Sequence, residues 1–160
     1  MFLIFSFRLV NNKLYSMNIE IYLKGHGITN ECKIPYCDVI ICYRNDKYHW
    51  EELLQVYSDL TPYKAELCGL EHALVVINTR DNIDNVDIFC KNTNIVNAFE
   101  EGWLVKWIEN DKGKNYFDLW KKIYALSRHL DITANKDGYT EDQKRMFRGM
   151  KNIVKRLSRI

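Results

Sequence analysis

Glu66 is the acidic side chain around which the possible chemistry of this sequence is arranged. It lies in the segment TPYKAELCGLEHALVVIN, residues 61–78, where Thr61 is a suitable N-cap and Pro62 a suitable first helical residue. Apolar residues recur there at helical spacing, which predicts a core helix with Glu66 one turn from its start. The helix dipole favours a carboxylate at this position without any further role. Taken alone, Glu66 is therefore best interpreted as a solvated first-turn glutamate.

Two lysines follow predicted strands on either side of this helix. Lys24 stands directly before the glycine that ends the alternating segment NIEIYLKG, residues 18–25. Lys91 lies near the end of a second alternating segment, VDIFCKN, residues 86–92. A lysine ammonium can pair with a carboxylate or contact a phosphate. The ordinary alternative is a strand-end lysine that only extends its charge into water.

A third group of residues with possible chemistry occupies residues 103–114. The sequence WLVKWIENDKGK interleaves tryptophans with lysines, a composition suited to stacking on bases and to phosphate contacts. The candidate nucleic-acid-binding residues are Lys106, Trp107, Lys112 and Lys114. In the alternative, the tryptophans pack on the domain and the lysines are solvated. We favour packing for the tryptophans and weigh the two interpretations equally for the lysines.

The remaining segments supply a sheet and helices that would position these residues. Residues 35–43 and 47–57 are predicted strands joined by a tight turn, and 131–134 is a short last strand. A helix over 116–130 precedes that strand. The final helix follows Thr140 and combines an apolar stripe with a basic remainder, which could lie on nucleic acid or on an anionic membrane. Docking by the apolar stripe is the favoured interpretation.

This order of elements resembles ribonuclease H over roughly residues 18–157. The motifs that carry the resemblance are TPYKAEL, GWLVKW and DLWKKI, in this order along the chain. The resemblance implies an α/β, ribonuclease H-like fold. Its mixed five-stranded sheet would have antiparallel hairpin strands followed by parallel strands, with helices on its flanks.

The resemblance also implies acidic residues at the ends of the first and fourth strands, on the first helix and on the last helix. In this sequence those four positions read Lys24, Lys91, Glu66 and Met146. Family members cut a phosphodiester with two divalent ions. A lysine about 5 Å from such an ion repels it by roughly 6–7 kcal/mol at an effective dielectric of about 20. We therefore expect no catalytic residues, no cofactor and loss of the family's two-metal Mg²⁺ site, with the two lysines replacing the metals beside Glu66.

The expected function is that of a pseudo-nuclease, a catalytically inactive ribonuclease H-like domain that binds nucleic acid without cleaving it. The nucleic acid would be an RNA–DNA hybrid or double-stranded RNA or DNA. One alternative is a protein-interaction or structural scaffold module of the same fold. A third is an active metal-dependent ribonuclease H with a rebuilt site. The acids that a different register would recruit to such a site are Asp38, Asp87 and Asp118.

Composition places the chain among single globular domains. A chain of 160 residues with 47% hydrophobic content can bury a core. The net charge of +2 does not by itself indicate a nucleic-acid binder. Five cysteines without metal-ligand spacing predict reduced thiols and an intracellular protein, and no stretch suggests a membrane as partner. We expect residues 1–17 to be an extension that is disordered or not native, with Met17 as the true start, and 18–160 to be one domain.

Overall fold

The computed structural model describes residues 17–29, 35–47, 49–56, 61–80, 82–110 and 115–157. The expectation for the N-terminal extension lies outside these ranges, apart from Met17, the first residue of the first strand. The elements in chain order are β1 (Met17–Thr29), β2 (Pro35–Arg44), β3 (His49–Val56), α1 (Pro62–Asn78), β4 (Ile83–Phe89), α2 (Thr93–Glu100), α3 (Trp103–Asn110), α4 (Phe117–Ser127), β5 (Asp131–Asn135) and α5 (Glu141–Leu157).

The strands form one mixed sheet in the order β3-β2-β1-β4-β5. β1, β2 and β3 pair antiparallel, whereas β4 pairs parallel with β1 and β5 parallel with β4. This topology confirms the predicted mixed five-stranded sheet. It makes β1 a central strand, with the carboxyl ends of β1, β4 and β5 at the same edge of the sheet.

β1 is longer than the sequence indicated. It continues through Gly25 to Thr29, so Lys24 lies within the strand, opposite Ile40 of β2. The prediction that the strand ends at Gly25 was wrong because this glycine serves a different purpose. A Cβ at Gly25 would lie 2.7 Å from the Pro62 carbonyl oxygen, so the absent side chain permits close approach of β1 to α1.

One face of the sheet is covered by α1 together with α2, α3 and α4. The inward residues of β1 and β2 alternate, as the pleat requires, and meet the apolar face of α1. Trp120 of α4 and Leu67, Leu70 and Leu74 of α1 are fully buried in this main core. The core therefore fixes α1, and with it Glu66, against the middle of the sheet.

The opposite face of the sheet carries α5. Met150 of this helix is buried, and Phe147 packs against Tyr22 of β1 with ring centroids 5.6 Å apart. A capping box begins the helix, since the Thr140 amide donates to the Gln143 side chain at 2.9 Å and the Gln143 amide donates to Thr140 Oγ1 at 3.2 Å. The predicted apolar stripe thus docks on the sheet.

An ion-pair network fastens the start of α5 to the sheet. The Arg44 guanidinium lies 3.1 Å from a Glu20 carboxylate oxygen and also pairs with Asp142 at the first turn of α5. Arg44 Nη2 donates to the Tyr22 hydroxyl at 2.8 Å, and that hydroxyl donates to Glu20. Burial is the main cause of the raised pKa of Tyr22.

Two further observations concern compartment and membrane. Within the described part of the chain, no helix is both long and apolar enough to cross a bilayer. The cysteines that the structure describes are free thiols, namely Cys37, Cys42, Cys68 and Cys90.

Candidate functional site

Glu66 is buried beneath β1 rather than solvated. Its side chain is 7% exposed, and Oε1 accepts a hydrogen bond from the Gly25 amide at 3.1 Å. Burial raises the pKa of the Glu66 carboxyl, while the Gly25 amide, the charge of Lys24 and a hydrogen bond from the Asn92 side chain act in the opposite direction. The solvated interpretation of Glu66 was therefore wrong, because α1 turns this residue towards the sheet.

Asn92 holds two elements of the site together. Its side-chain oxygen accepts from the amides of Asn94 at 2.9 Å and Ile95 at 3.3 Å, which makes it the N-cap of α2. The hydrogen bond to Glu66 then links the start of α2 to the first turn of α1. β4 ends at Phe89, three residues before this cap, and not at Asn92 as predicted.

Lys24 lies on β1, and Lys91 follows the end of the neighbouring parallel strand β4. β1 and β4 pair through Tyr22 and Phe89, and each lysine is two residues further along its own strand direction. Alternation places Lys24 on the same face of β1 as Tyr22, which is the face that carries α5. The register therefore puts both lysines the same number of residues after a paired position, and their direct neighbourhood stays a prediction.

The two lysine side chains make different interactions. Lys24 is half-buried, and its charge acts on Glu66. The Lys91 ammonium lies 4.3 Å from the ring centroid of Tyr139 and 5.6 Å from that of Phe147. The Lys91 ammonium thus makes cation–π contacts with the aromatic rings beside α5, and its direct pairing with Glu66 stays a prediction.

Met146 is a packing residue of α5. Its side chain is partly buried against the cluster on the second face of the sheet, which includes Tyr22, Ile40 and Phe89. A thioether there fills space between aliphatic and aromatic groups. It does not offer the hard oxygen ligand that Mg²⁺ prefers.

The acids that another register would recruit lie in three different surroundings. Asp38 is 3% exposed on β2, where burial raises the pKa of its carboxyl while Gln55 and His26 oppose the rise. Asp87 accepts a hydrogen bond from Thr133. Asp118 pairs with Lys121 at 3.3 Å. Within the described ranges, no group of three or more His, Cys, Asp or Glu residues is placed to hold a metal ion.

The predicted basic and aromatic segment is only partly described. Lys106 on α3 is exposed, and Trp107 is half-buried with its ring packed edge-on against Trp120, the centroids being 5.2 Å apart. This contact agrees with the favoured packing role of the tryptophan. Lys112 and Lys114 lie outside the described residues, so the assignment of this segment to nucleic acid stays a prediction.

Sequence reasoning missed several groups around Glu66. Asn92 was identified only as a helix start, although a capping amide that follows a strand end has a free side-chain nitrogen to offer a neighbour. Tyr139 had no signal, because its hydroxyl donates to the carbonyl oxygens of Asn135 and Cys90, a contact that depends on the folded sheet. Cys90 lies close enough to Glu66 for the carboxylate to help raise the pKa of the thiol to about 12, burial being the larger cause.

Comparison with known proteins relates the chain to ribonucleases H of bacteria. It is 32% identical over 73 residues to the ribonuclease H of Chlorobium phaeobacteroides, covering 42% of this chain and 50% of that protein. It is 27% identical over 103 residues to that of Desulforamulus reducens, covering 61% of each chain. The chain thus spans about half to three fifths of the length of these curated relatives. No protein-family model matches it.

Solved structures share the fold at low sequence identity. The solution structure of the PFV RNase H domain aligns with a TM-score of 0.54 at 13% identity, over 81% of this chain and 87% of that one. LC11-RNase H1 in complex with an RNA/DNA hybrid aligns with a TM-score of 0.52 at 15% identity, over 73% of this chain and 83% of that one. These alignments concern the arrangement of helices and strands.

Proposed function

The chain is a relative of ribonuclease H, and we propose from this premise that it binds duplex nucleic acid, an RNA–DNA hybrid or a double-stranded RNA or DNA, without cleaving it. The observation that carries the proposal is the pair Lys24 and Lys91. Lys24 is two residues after Tyr22 on β1, and Lys91 is two residues after its pairing partner Phe89, the last residue of β4; the resemblance implies aspartates at both positions. Curated relatives bear the name ribonuclease H, and a structural neighbour is described with a bound RNA/DNA hybrid.

The groups around Glu66 do not fit a pair of divalent cations. Among the described residues, the groups that interact with this carboxylate are the Gly25 amide, the Lys24 ammonium, the Asn92 amide and the Cys90 thiol. Two Mg²⁺-like ions need several carboxylate oxygens between them. Counting formal charges of Glu66, Lys24 and Lys91 gives −1 + 2 = +1 before any cation arrives. This charge repels cations and favours a phosphate.

Glu66 has a structural role in this proposal. Its carboxylate accepts from Gly25 of β1 and from Asn92 at the start of α2, so it joins three elements without an ion. Two of the acceptor positions of this carboxylate are therefore taken by hydrogen-bond donors of the chain. Glu66 is then a positioning residue that holds β1 against α1.

A cleavage and binding assay on the same preparation tests the proposal. An end-labelled RNA–DNA hybrid is incubated with the purified protein in Mg²⁺ and separately in Mn²⁺, and affinity for the uncut hybrid is measured over a range of salt. We expect no cleavage and an affinity that falls steeply with salt, because counterions are released when phosphates are contacted.

Each contrary result has a clear meaning. Metal-dependent cleavage that Glu66→Gln abolishes would show a working ribonuclease H with a rebuilt site. An absence of binding to hybrid, double-stranded RNA and double-stranded DNA at low salt would instead support a protein-interaction or structural module. A Lys106→Gln variant reports on the α3 segment, since it removes one exposed cation outside the core.

A further inference from the structure

The face of the sheet that carries α5 gathers basic residues from separate parts of the chain. Lys24 projects on this face of β1, and Lys91 lies on the rings of Tyr139 and Phe147, which belong to the same side. Because both lysines lie on the side of the sheet that carries α5, a ligand that contacts them would also meet the surface of that helix.

The outward face of α5 is strongly cationic. After its first two acidic residues, the helix carries basic side chains and no acid through residue 157. The exposed basic residues are Lys144, Arg145, Arg148, Lys151, Lys155 and Arg156. At a rise of about 1.5 Å per residue, they extend over roughly 18 Å of helix.

Phe147 connects the two lysines of the sheet to this helix face. Its ring contacts the Lys91 ammonium, and Lys144 and Lys151 flank it at three residues before and four residues after. Side chains at these spacings share one side of a helix. Cationic side chains therefore lie both beside the Phe147 ring, at Lys91, and along the exposed residues of α5.

An extended polyanion fits this surface better than a membrane does. A helix that lies on a bilayer must insert its apolar face, but the apolar face of α5 is occupied by the sheet. Met150 is 1% exposed, and the Phe147 ring stacks on Tyr139 with centroids 5.1 Å apart. The exposed residues on the charged side of the helix can meet a partner, and duplex backbone presents one charge per strand about every 3.4 Å.

We infer that Lys24, Lys91 and the basic face of α5 form one phosphodiester-binding track, in which the two lysines hold a backbone phosphate directly instead of through metal ions. The inference rests on the proposed function and names the surface that performs it. The partner is a duplex backbone, contacted through its phosphates and not through base edges.

The central experiment compares two double variants of equal charge. Lys24→Gln/Lys91→Gln removes two cations from the track, and Lys121→Gln/Lys122→Gln removes two exposed cations from α4, on the opposite face of the molecule. Binding of a fluorescent RNA–DNA hybrid is measured by anisotropy over a range of salt. Circular dichroism and thermal melting establish that both variants fold.

The track variant should lose roughly tenfold or more in affinity near 0.1 M salt, with the slope of log K against log salt reduced by up to about 1.8, or about 0.9 for each lost phosphate contact. The α4 variant should stay within about twofold of the unaltered protein, because removal of distant charge acts only through screened interactions.

Lys24→Arg/Lys91→Arg should retain binding, and Arg145→Gln/Arg148→Gln should weaken it further when added to the track variant. Equal losses in the track and α4 variants would overturn the inference.

Failure of the inference can be distinguished from failure of the proposed function. If Lys106→Gln weakens binding while the track variant does not, the protein binds nucleic acid through α3 and the track is refuted. If the unaltered protein binds no duplex at low salt, the proposed function itself falls. Phosphatidylserine vesicles serve as a second probe, and tighter binding to them than to the hybrid at equal phosphate concentration would refute a duplex as the partner.

Discussion

At the scale of single residues, Glu66 shows how burial can change the meaning of an acidic residue. A first-turn glutamate in water needs no partner, whereas this one lies under β1 with hydrogen bonds from Gly25 and Asn92. Burial removes water from the carboxylate, and these donors compensate only partly for the lost hydration. The pKa of the carboxyl therefore rises. Such a group links the stability of the fold to pH.

The pH dependence of stability should reveal Glu66. Because the pKa of its carboxyl is higher in the folded than in the unfolded chain, the folded state binds more protons, and the free energy of unfolding falls as pH rises from about 4.5 through the folded-state pKa. Glu66→Gln should remove this fall. Urea unfolding of the unaltered protein and of Glu66→Gln at several pH values gives a difference curve, which is the difference between their free energies of unfolding as a function of pH.

The matched control is Glu101→Gln, which alters an exposed acid near the end of α2. Its difference curve should be flat over the same pH range. A flat curve for Glu66→Gln as well would contradict the burial of the Glu66 carboxylate.

A pair of glycine substitutions tests the contact between β1 and α1. Gly25→Ala would bring a Cβ to 2.7 Å from the Pro62 carbonyl oxygen and 3.0 Å from Glu66 Cγ, so backbone must move. We expect a loss of roughly 1–3 kcal/mol in the free energy of unfolding, typical of overpacking. Gly149→Ala meets nothing within 4 Å on α5 and should stabilise by about 0.5–1 kcal/mol. Denaturant melts measure both, and a neutral Gly25→Ala would contradict the close approach.

At the scale of helices and strands, local signals explain which boundaries could be predicted. Thr61 caps α1, Asn92 caps α2, and Gly102 follows α2 with a φ of +66°. Each of these residues acts within a few positions of itself, so the sequence carries the information directly. The mixed sheet followed from the order of these elements and from the resemblance.

What could not be predicted depends on contacts between distant segments. The length of β1 was missed because Gly25 was interpreted as a strand end, whereas it makes room for α1. The position of the Lys91 ammonium was missed because the attracting rings of Tyr139 and Phe147 come from the other end of the domain. Periodicity describes a segment, and it does not say which distant side chain will meet a given charge.

The capping box of α5 gives a prediction at this scale. Thr140→Ala removes the hydroxyl that accepts from the Gln143 amide at 3.2 Å and should lower the free energy of unfolding by about 1 kcal/mol. Thr140→Ser retains the hydroxyl and should cost much less. Thermal or urea unfolding distinguishes the two. Equal effects of both substitutions would show that the cap hydrogen bond does not stabilise the helix.

At the scale of the whole molecule, we interpret the two faces of the sheet as having different functions. The α1 face contains the main core and buries Glu66, whereas the α5 face combines a smaller aromatic cluster with the basic surface. Lys24 lies on the α5 face by alternation, and Lys91 contacts Tyr139 and Phe147 of that face. In the proposed function, an anion site replaces a cation site without a change of the core, because neither lysine is a buried residue.

Restoring the carboxylates implied by the resemblance tests this exchange. The variant Lys24→Asp/Lys91→Asp/Met146→Asp would place acids at the three positions where the resemblance implies them, in addition to Glu66. Without metal it should be less stable than the unaltered protein, because like charges repel and Met146 no longer packs on the sheet. Millimolar Mg²⁺ should then raise its melting temperature, since a ligand at 100 times its Kd stabilises by about 2.7 kcal/mol.

The unaltered protein and a Lys121→Asp/Lys122→Asp variant serve as controls for this measurement, the latter adding acids on α4 away from the site. Neither should respond to Mg²⁺ or Mn²⁺, and Lys24→Asp alone should respond weakly, because carboxylates that share metal ions act as a unit. A saturable rise in the melting temperature of the unaltered protein would contradict the loss of the metal site. It would mean that carboxylates other than those near Glu66 bind the ions, and that the two lysines do not set the charge preference of this edge of the sheet.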